Sequence, residues 1–202
     1  METAAFLKGL GLGGGLIIAI GAQNAFILRQ GLQRQYVLTS VLICGLCDSL
    51  LIALGVAGVG TLIANNPALF AFSKWGGAAF LCWCGIRSAI AAMKPAGLLT
   101  TTEPLAPPRY AAVIASALAF SLLNPHAYLD TVVLLGSVGG QEIGIGRVLF
   151  AAGAMLASLL WFLSLGLGAR FAAPMFAKPN AWRILDGVIA LVMWSIAVSL
   201  LL

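Results

Sequence analysis

Two aspartates stand where a carboxylate is most costly. Asp48 is the only charge between Arg34 and Lys74 and lies near the middle of an apolar stretch over residues 36–64. Asp130 lies inside a second such stretch, 111–140. A helix needs about 20 residues to cross a bilayer, and each stretch exceeds that. An acid at mid-depth costs about 2.5–3.5 kcal/mol on insertion scales. Acids tolerated there face a cavity or a partner and mark the route of an ion or substrate. A proton and an organic cation compete for the same oxygens, so the chemistry on offer is reversible cation binding. The chain reads as a transporter.

Groups able to complete such a site cluster at two interruptions of the apolar pattern. The first is Gly21-Ala22-Gln23-Asn24 and the second Leu123-Asn124-Pro125-His126. Pro125 lacks an amide hydrogen and disfavours helix at Asn124. Backbone groups freed there must face protein or a wet cavity. Gln23 and Asn24 both donate and accept, which suits the carboxylate or amide of an amino acid; polar glue between helices is the alternative. His126, the only histidine, precedes Asp130 by four residues and shares its face if the helix has restarted. It reads either as a proton relay or as a structural histidine.

Cys44-x-x-Cys47 has the spacing of a redox dithiol, with Cys82 and Cys84 further on. A membrane thiol oxidoreductase is therefore one rival reading. Cysteine is also an ordinary apolar residue in such helices, and reactivity needs an exposed, electropositive setting. Export of a divalent metal is the second rival, but oxygen-rich metal sites use several carboxylates or carbonyls. Neither a cofactor, a resident metal nor an enzymatic activity is expected.

The elements that must position these residues follow from composition. With 61% hydrophobic and 8% charged residues in 202, the chain lies outside the soluble globular range. Six apolar segments can be marked off: 10–28, 36–64, 69–93, 110–140, 148–169 and 184–202. The expected fold is an all-α integral membrane protein of two inverted three-helix repeats, the first helix of each half being broken. One transmembrane domain covers 1–202, with halves of about 1–94 and 110–202 joined by a cytoplasmic loop, 95–109. The lead-in holds Glu2 and Lys8 with no A-x-A site after it, so a cleaved signal peptide is not expected.

The net charge of +5 comes from scattered basic residues at segment ends, which argues for snorkelling in the lipid bilayer rather than nucleic-acid binding. Arg29, Arg34, Arg87, Lys94, Arg109, Arg170, Lys178 and Arg183 fall on one side, against Lys8, Lys74 and Arg147 on the other. The first set is cytoplasmic by the positive-inside bias. The first segment, crowded with glycine, either spans or re-enters. Gly11 with Gly15, and Gly136 with Gly140, have the small-residue spacing that lets helices approach closely. Such helices suit monomers and dimers alike. Asp186, three residues after Arg183, reads as half of an interfacial pair.

The run Gly21-Ala22-Gln23-Asn24-Ala25-Phe26, followed by Arg29-Gln30-Gly31 and Arg34, resembles the first segment of LysE-type exporters of basic amino acids. So do Cys47-Asp48, Trp75-Gly76-Gly77-Ala78-Ala79-Phe80-Leu81 and Ser158-Leu159-Leu160-Trp161-Phe162. Closer still is Leu123-Asn124-Pro125-His126-Ala127-Tyr128-Leu129-Asp130-Thr131, continuing to Gly136-Ser137-Val138-Gly139-Gly140-Gln141. The arginine exporter branch is nearest. One departure is Ala22, where the family often has proline. The resemblance implies export of L-arginine or L-lysine across the bacterial inner membrane, with the family's functional aspartates at Asp48 and Asp130. Moving a cation out of a negative interior costs about 2.3 kcal/mol per 100 mV, and exchange for an incoming proton cancels it. Proton antiport is therefore the expected mode, with Gln23, Asn24 and the backbone freed at Asn124 holding the amino-acid head group.

Overall fold

The computed structural model describes residues 2–18, 21–58, 67–93, 109–124, 127–172 and 179–201, and the regular elements among them are all helical. In chain order these are α1 (Glu2–Ile17), α2 (Ala22–Gln33), α3 (Val37–Val56), α4 (Pro67–Met93) and α5 (Tyr110–Leu122). A π-helical segment, Tyr128–Leu135, then runs into the single turn α6 (Gly136–Gly139), followed by α7 (Ile145–Ala172) and α8 (Pro179–Leu201). Among the described residues, helices Val37–Val56, Ile145–Phe171 and Asn180–Ser199 are each long and apolar enough to cross a bilayer. α1 and α2 pass the same test as a pair, bent by 80°.

The helices are inside-out relative to a soluble protein. On α3 the leucines 38, 42, 46, 50 and 54 are exposed, while Ser40, Cys44, Gly45 and Asp48 are buried. Lipid is as apolar as leucine, so nothing drives leucine inward; packing favours small residues and polar groups that find partners.

α3 and α7 lie side by side and antiparallel at the centre. Gly45 meets Leu159 near their middles, and Gly166 meets Val37 and Val41 at one end. Each of the two interrupted segments packs on one of these central helices. α1 and α2 follow α7 in the same direction, with Gly9 against Phe150, Gly13 against Ala154 and Gly31 against Gly166. The span from Phe150 to Gly166 is about 24 Å of helix, most of the roughly 30 Å hydrocarbon thickness. α1 and α2 each lie against α7 within that length. In the same manner α5 and the π-helical segment follow α3: Tyr110 stacks near Tyr36, and Val132 and Gly136 press on Gly55. α4 and α8 pair with each other, the Trp194 ring lying on Gly85.

One end of the bundle gathers arginines. Arg34 caps α2, Arg109 precedes α5, Arg170 falls in the last turn of α7, and the Arg183 Nε donates to the Ala92 carbonyl 2.9 Å away. At the opposite end Lys8 pairs with Glu142 at 2.8 Å, and Arg147 donates to the Gly140 carbonyl at 2.7 Å.

Two readings change at this level, and a third holds. The close-packing stripe of α1 is Gly9 and Gly13, not Gly11 and Gly15, where an added Cβ would meet no atom within 4 Å. Asp186 does not pair with Arg183. It continues the buried stripe Ala197, Met193, Ala190 of α8 and so reaches Arg29 of α2, Nη1 to Oδ1 3.3 Å. The first break is sharp although Ala22 replaces proline. Ala22 is the first helical position after the extended N-cap Gly21, where an amide hydrogen has no helical partner anyway and proline is merely convenient. Most of the 95–109 loop lies outside the described residues.

Candidate functional site

Both breaks fall at the level where α3 and α7 cross mid-bundle, and they open one cavity of about 110 Å³. Its polar lining includes Gln23, Asn24, Asp48, Asn124, Asp130 and Thr131. Five of the seven residues singled out in the sequence thus come together: Gln23, Asn24, Asp48, Asn124 and Asp130. Pro125 and His126 lie outside the described residues.

Asp48 is 3% exposed. Its Oδ1 accepts from Gln23 Nε2 at 3.0 Å and its Oδ2 from Ser158 Oγ at 2.9 Å. Gln23 spends its second amide hydrogen on Ser121 Oγ at 3.2 Å, and that hydroxyl donates to the Ala117 carbonyl at 2.8 Å. Four helices, α2, α3, α5 and α7, therefore converge on one carboxyl group. Both of its donors are neutral. A carboxylate has about four lone-pair sites, so each oxygen keeps capacity for a proton or a cationic N–H.

The breaks satisfy their own freed backbone. Asn24 Nδ2 donates to the Ile17 carbonyl at the end of α1 at 2.9 Å, while its Oδ1 accepts from Trp161 Nε1 at 3.2 Å. Tyr128 OH donates to the Leu122 carbonyl at the end of α5 at 2.8 Å. Within hydrocarbon such carbonyls would otherwise cost several kcal/mol each. Asp130 sits in the first turn of the π-helical segment and is partly exposed. Thr131 beside it donates to the Ala127 carbonyl. π-helical turns are rare and recur at functional sites.

Ser121 and Ser158 escaped the sequence reading. Serine in a membrane helix commonly bonds its own preceding turn, as Ser121 does, and no spacing rule distinguishes such a serine from one that also faces a carboxylate. The signal for Ser158 was slight: Ala157-Ser158-Leu159-Leu160 echoes Asp48-Ser49-Leu50-Leu51 at the matching place of the other half.

The cysteines form no disulfide and three are buried: Cys44 fully, with Cys47 and Cys84 8% exposed, while Cys82 is partly exposed. Replacing all four with alanine is expected to leave the export implied by the sequence within about twofold of wild type, since each acts as a small apolar filler. Efflux from preloaded cells checks it. Loss of transport at normal protein level would return Cys44 and Cys47 to consideration. Among the described residues, no three His, Cys, Asp or Glu side chains are grouped to hold a metal ion.

Comparison with known proteins gives a consistent picture. The family model described as LysE type translocator matches residues 15–202. A protein of Aeromonas salmonicida, provisionally named as an amino-acid transporter, YggA, is 44% identical over 197 residues, covering 98% of this chain and 95% of its own length. The arginine exporter protein ArgO of Pectobacterium carotovorum is 41% identical over 197 residues, covering 98% and 96%. ArgO of Enterobacter sp. is 43% identical over 195 residues, covering 96% and 92%. No solved structure matches the chain.

Proposed function

The chain belongs to the LysE type translocators, multi-pass amino-acid exporters of the bacterial inner membrane, and from that premise we propose that its cargo is a basic amino acid, L-arginine before L-lysine, exchanged for protons. The observation that carries this reading is the placement of Asp48 and Asp130 on one cavity at the two mid-bundle breaks. Relatives at 41–43% identity named as arginine exporters support the choice of arginine.

The two acids have different settings, and we assign them different tasks. Asp130 is partly exposed at the start of the π-helical segment and meets the incoming guanidinium. Asp48, deeper and held by Gln23 and Ser158, alternates between the substrate cation and a proton. Gln23, Asn24 and the backbone at Asn124 hold the amino-acid head group. From the sequence alone, Pro125 is assigned to interrupting the second segment, and His126, four residues before Asp130, to passing protons.

The halves supply the movement. Each broken segment lies on the central helix of the opposite half, the pattern that exchange of two inverted repeats leaves unchanged. Rocking one repeat against the other would open the cavity alternately to the two faces. The arginine-rich end is cytoplasmic on this reading.

Uptake of labelled arginine into inside-out vesicles tests substrate and coupling together. With an acid lumen, arginine is expected to accumulate, lysine to a smaller extent, and a neutral isostere such as citrulline not at all. A protonophore is expected to abolish the accumulation. Arginine uptake that ignores the imposed pH gradient would remove the antiport step, and absence of uptake would remove the substrate.

A further inference from the structure

The ion pair between α2 and α8 is not used by the mechanism above. Asp186 is 8% exposed in its side chain, although it carries a charge in a membrane helix, while its partner Arg29 is 42% exposed. The contact is a single one, Nη1 to Oδ1 at 3.3 Å, rather than the two-pronged geometry that makes arginine–carboxylate pairs strong. It closes the arginine-rich end of a seam in which Ala22 and Ala25 of α2 pack on Leu81 and Cys84 of α4 and on Met193 and Ala197 of α8. Arg29 lies one helical turn beyond Ala25 on that face. The same seam reaches the cavity, because Ile196 of α8 and Gln23 and Asn24 of α2 line it.

We propose that Asp186 is a further cation-receiving carboxylate on the cytoplasmic approach to the cavity, and that Arg29 is a tethered guanidinium that occupies it until the substrate's own guanidinium takes its place. This rests on the export reading above. The chemistry is an exchange of like for like: the group Arg29 presents is the group that distinguishes arginine from neutral amino acids. Arg29 is the more exposed half and lies toward the arginine-rich end, so an arriving cation meets the pair from its guanidinium side. Displacement unties α2 from α8 at the end of the seam formed by Ala22 and Ala25 with Met193 and Ala197. α2 carries Gln23, the donor to Asp48, so release of Arg29 is felt at the central acid. A ligand shifts a conformational equilibrium only by its differential affinity for the two states, and here the difference is the carboxylate vacated by Arg29.

The experiment measures KM and Vmax for arginine uptake by inside-out vesicles bearing wild type, Asp186→Asn, Asp186→Glu or Arg29→Gln. Asp186→Asn is expected to raise KM about tenfold, the factor that one charge-assisted hydrogen bond supplies, with a smaller change in Vmax. Asp186→Glu keeps the charge and is expected to stay nearer wild type. Arg29→Gln removes the internal competitor, so its KM should fall below wild type. A plain structural brace would instead make Asp186→Asn and Arg29→Gln alike, lowering the amount of protein in the membrane and moving KM in one direction or not at all; that result overturns the proposal. If Asp186→Asn fails to accumulate, the direction of the Arg29→Gln shift decides alone. Wild-type vesicles that take up no arginine would contradict the export reading itself, a result distinct from normal wild-type uptake with an unmoved KM in the variants.

Discussion

Asp48→Asn is expected to lower arginine efflux about a hundredfold while the protein accumulates normally in the membrane. The side chains are nearly the same size, and asparagine keeps an oxygen to accept from Gln23 Nε2. Its amide nitrogen would face Ser158 Oγ, a hydroxyl that accepts as well as donates. The bonds from α2 and α7 can therefore persist. What disappears is the negative charge and, on the proposed mechanism, the exchange of a proton for a cation. Charged hydrogen bonds contribute about 1.5–3 kcal/mol, which corresponds to roughly 10- to 150-fold. Loss of proton exchange puts the effect at the upper end. Asp130→Asn is expected to reduce efflux as well, by a smaller factor, since Asp130 is more open to water. Efflux of preloaded labelled arginine, normalised to membrane protein, measures both. A wild-type rate in Asp48→Asn would remove that residue from the transport step.

A comparably large effect, on folding rather than on transport, is expected at Gly55. A Cβ there would lie 2.7 Å from the Thr131 carbonyl oxygen and 2.7 Å from the Val132 Cα. Both are backbone atoms of the π-helical segment and cannot rotate aside. Gly136 meets the Gly55 backbone just as closely from the other side. Overpacking of a flexible core costs about 1–3 kcal/mol, and an obstacle made of backbone belongs at or above the top of that range. Gly55→Val should leave less than about a tenth of the wild-type protein in the membrane. Gly15→Val is the control, because an added Cβ there meets nothing within 4 Å; its level should match wild type. Quantitative immunoblotting of membranes separates them. Equal accumulation would mean that α3 does not depend on close approach to the π-helical segment.

Much of this protein was legible in its residues. Hydropathy alone marks the apolar segments, because the bilayer demands a length of apolar chain whatever the neighbours do. The energetic penalty on a buried acid singles out Asp48 and Asp130 without any structure. Gly21 and Asn124-Pro125 mark the two breaks, since glycine and proline act on the backbone locally. The arginines that gather at one end of the bundle are the ones charge bias assigns to the cytoplasmic side.

Tertiary structure decided what touches what. A helix apolar on every side has no periodicity to announce its buried face, so the sequence could not say that Gly9 and Gly13 face α7 while Gly11 and Gly15 face outward. Nor could it say that α1 and α2 lie on α7, that α3 lies against α7 and so meets Ser158 at Asp48, or that Asp186 reaches across to Arg29 rather than along its own helix to Arg183. These pairings are long-range, made by small residues that let backbones meet and by polar groups with no water to satisfy them. In lipid, the partner is chosen by shape and by hydrogen bonding, and neither is written in any one segment.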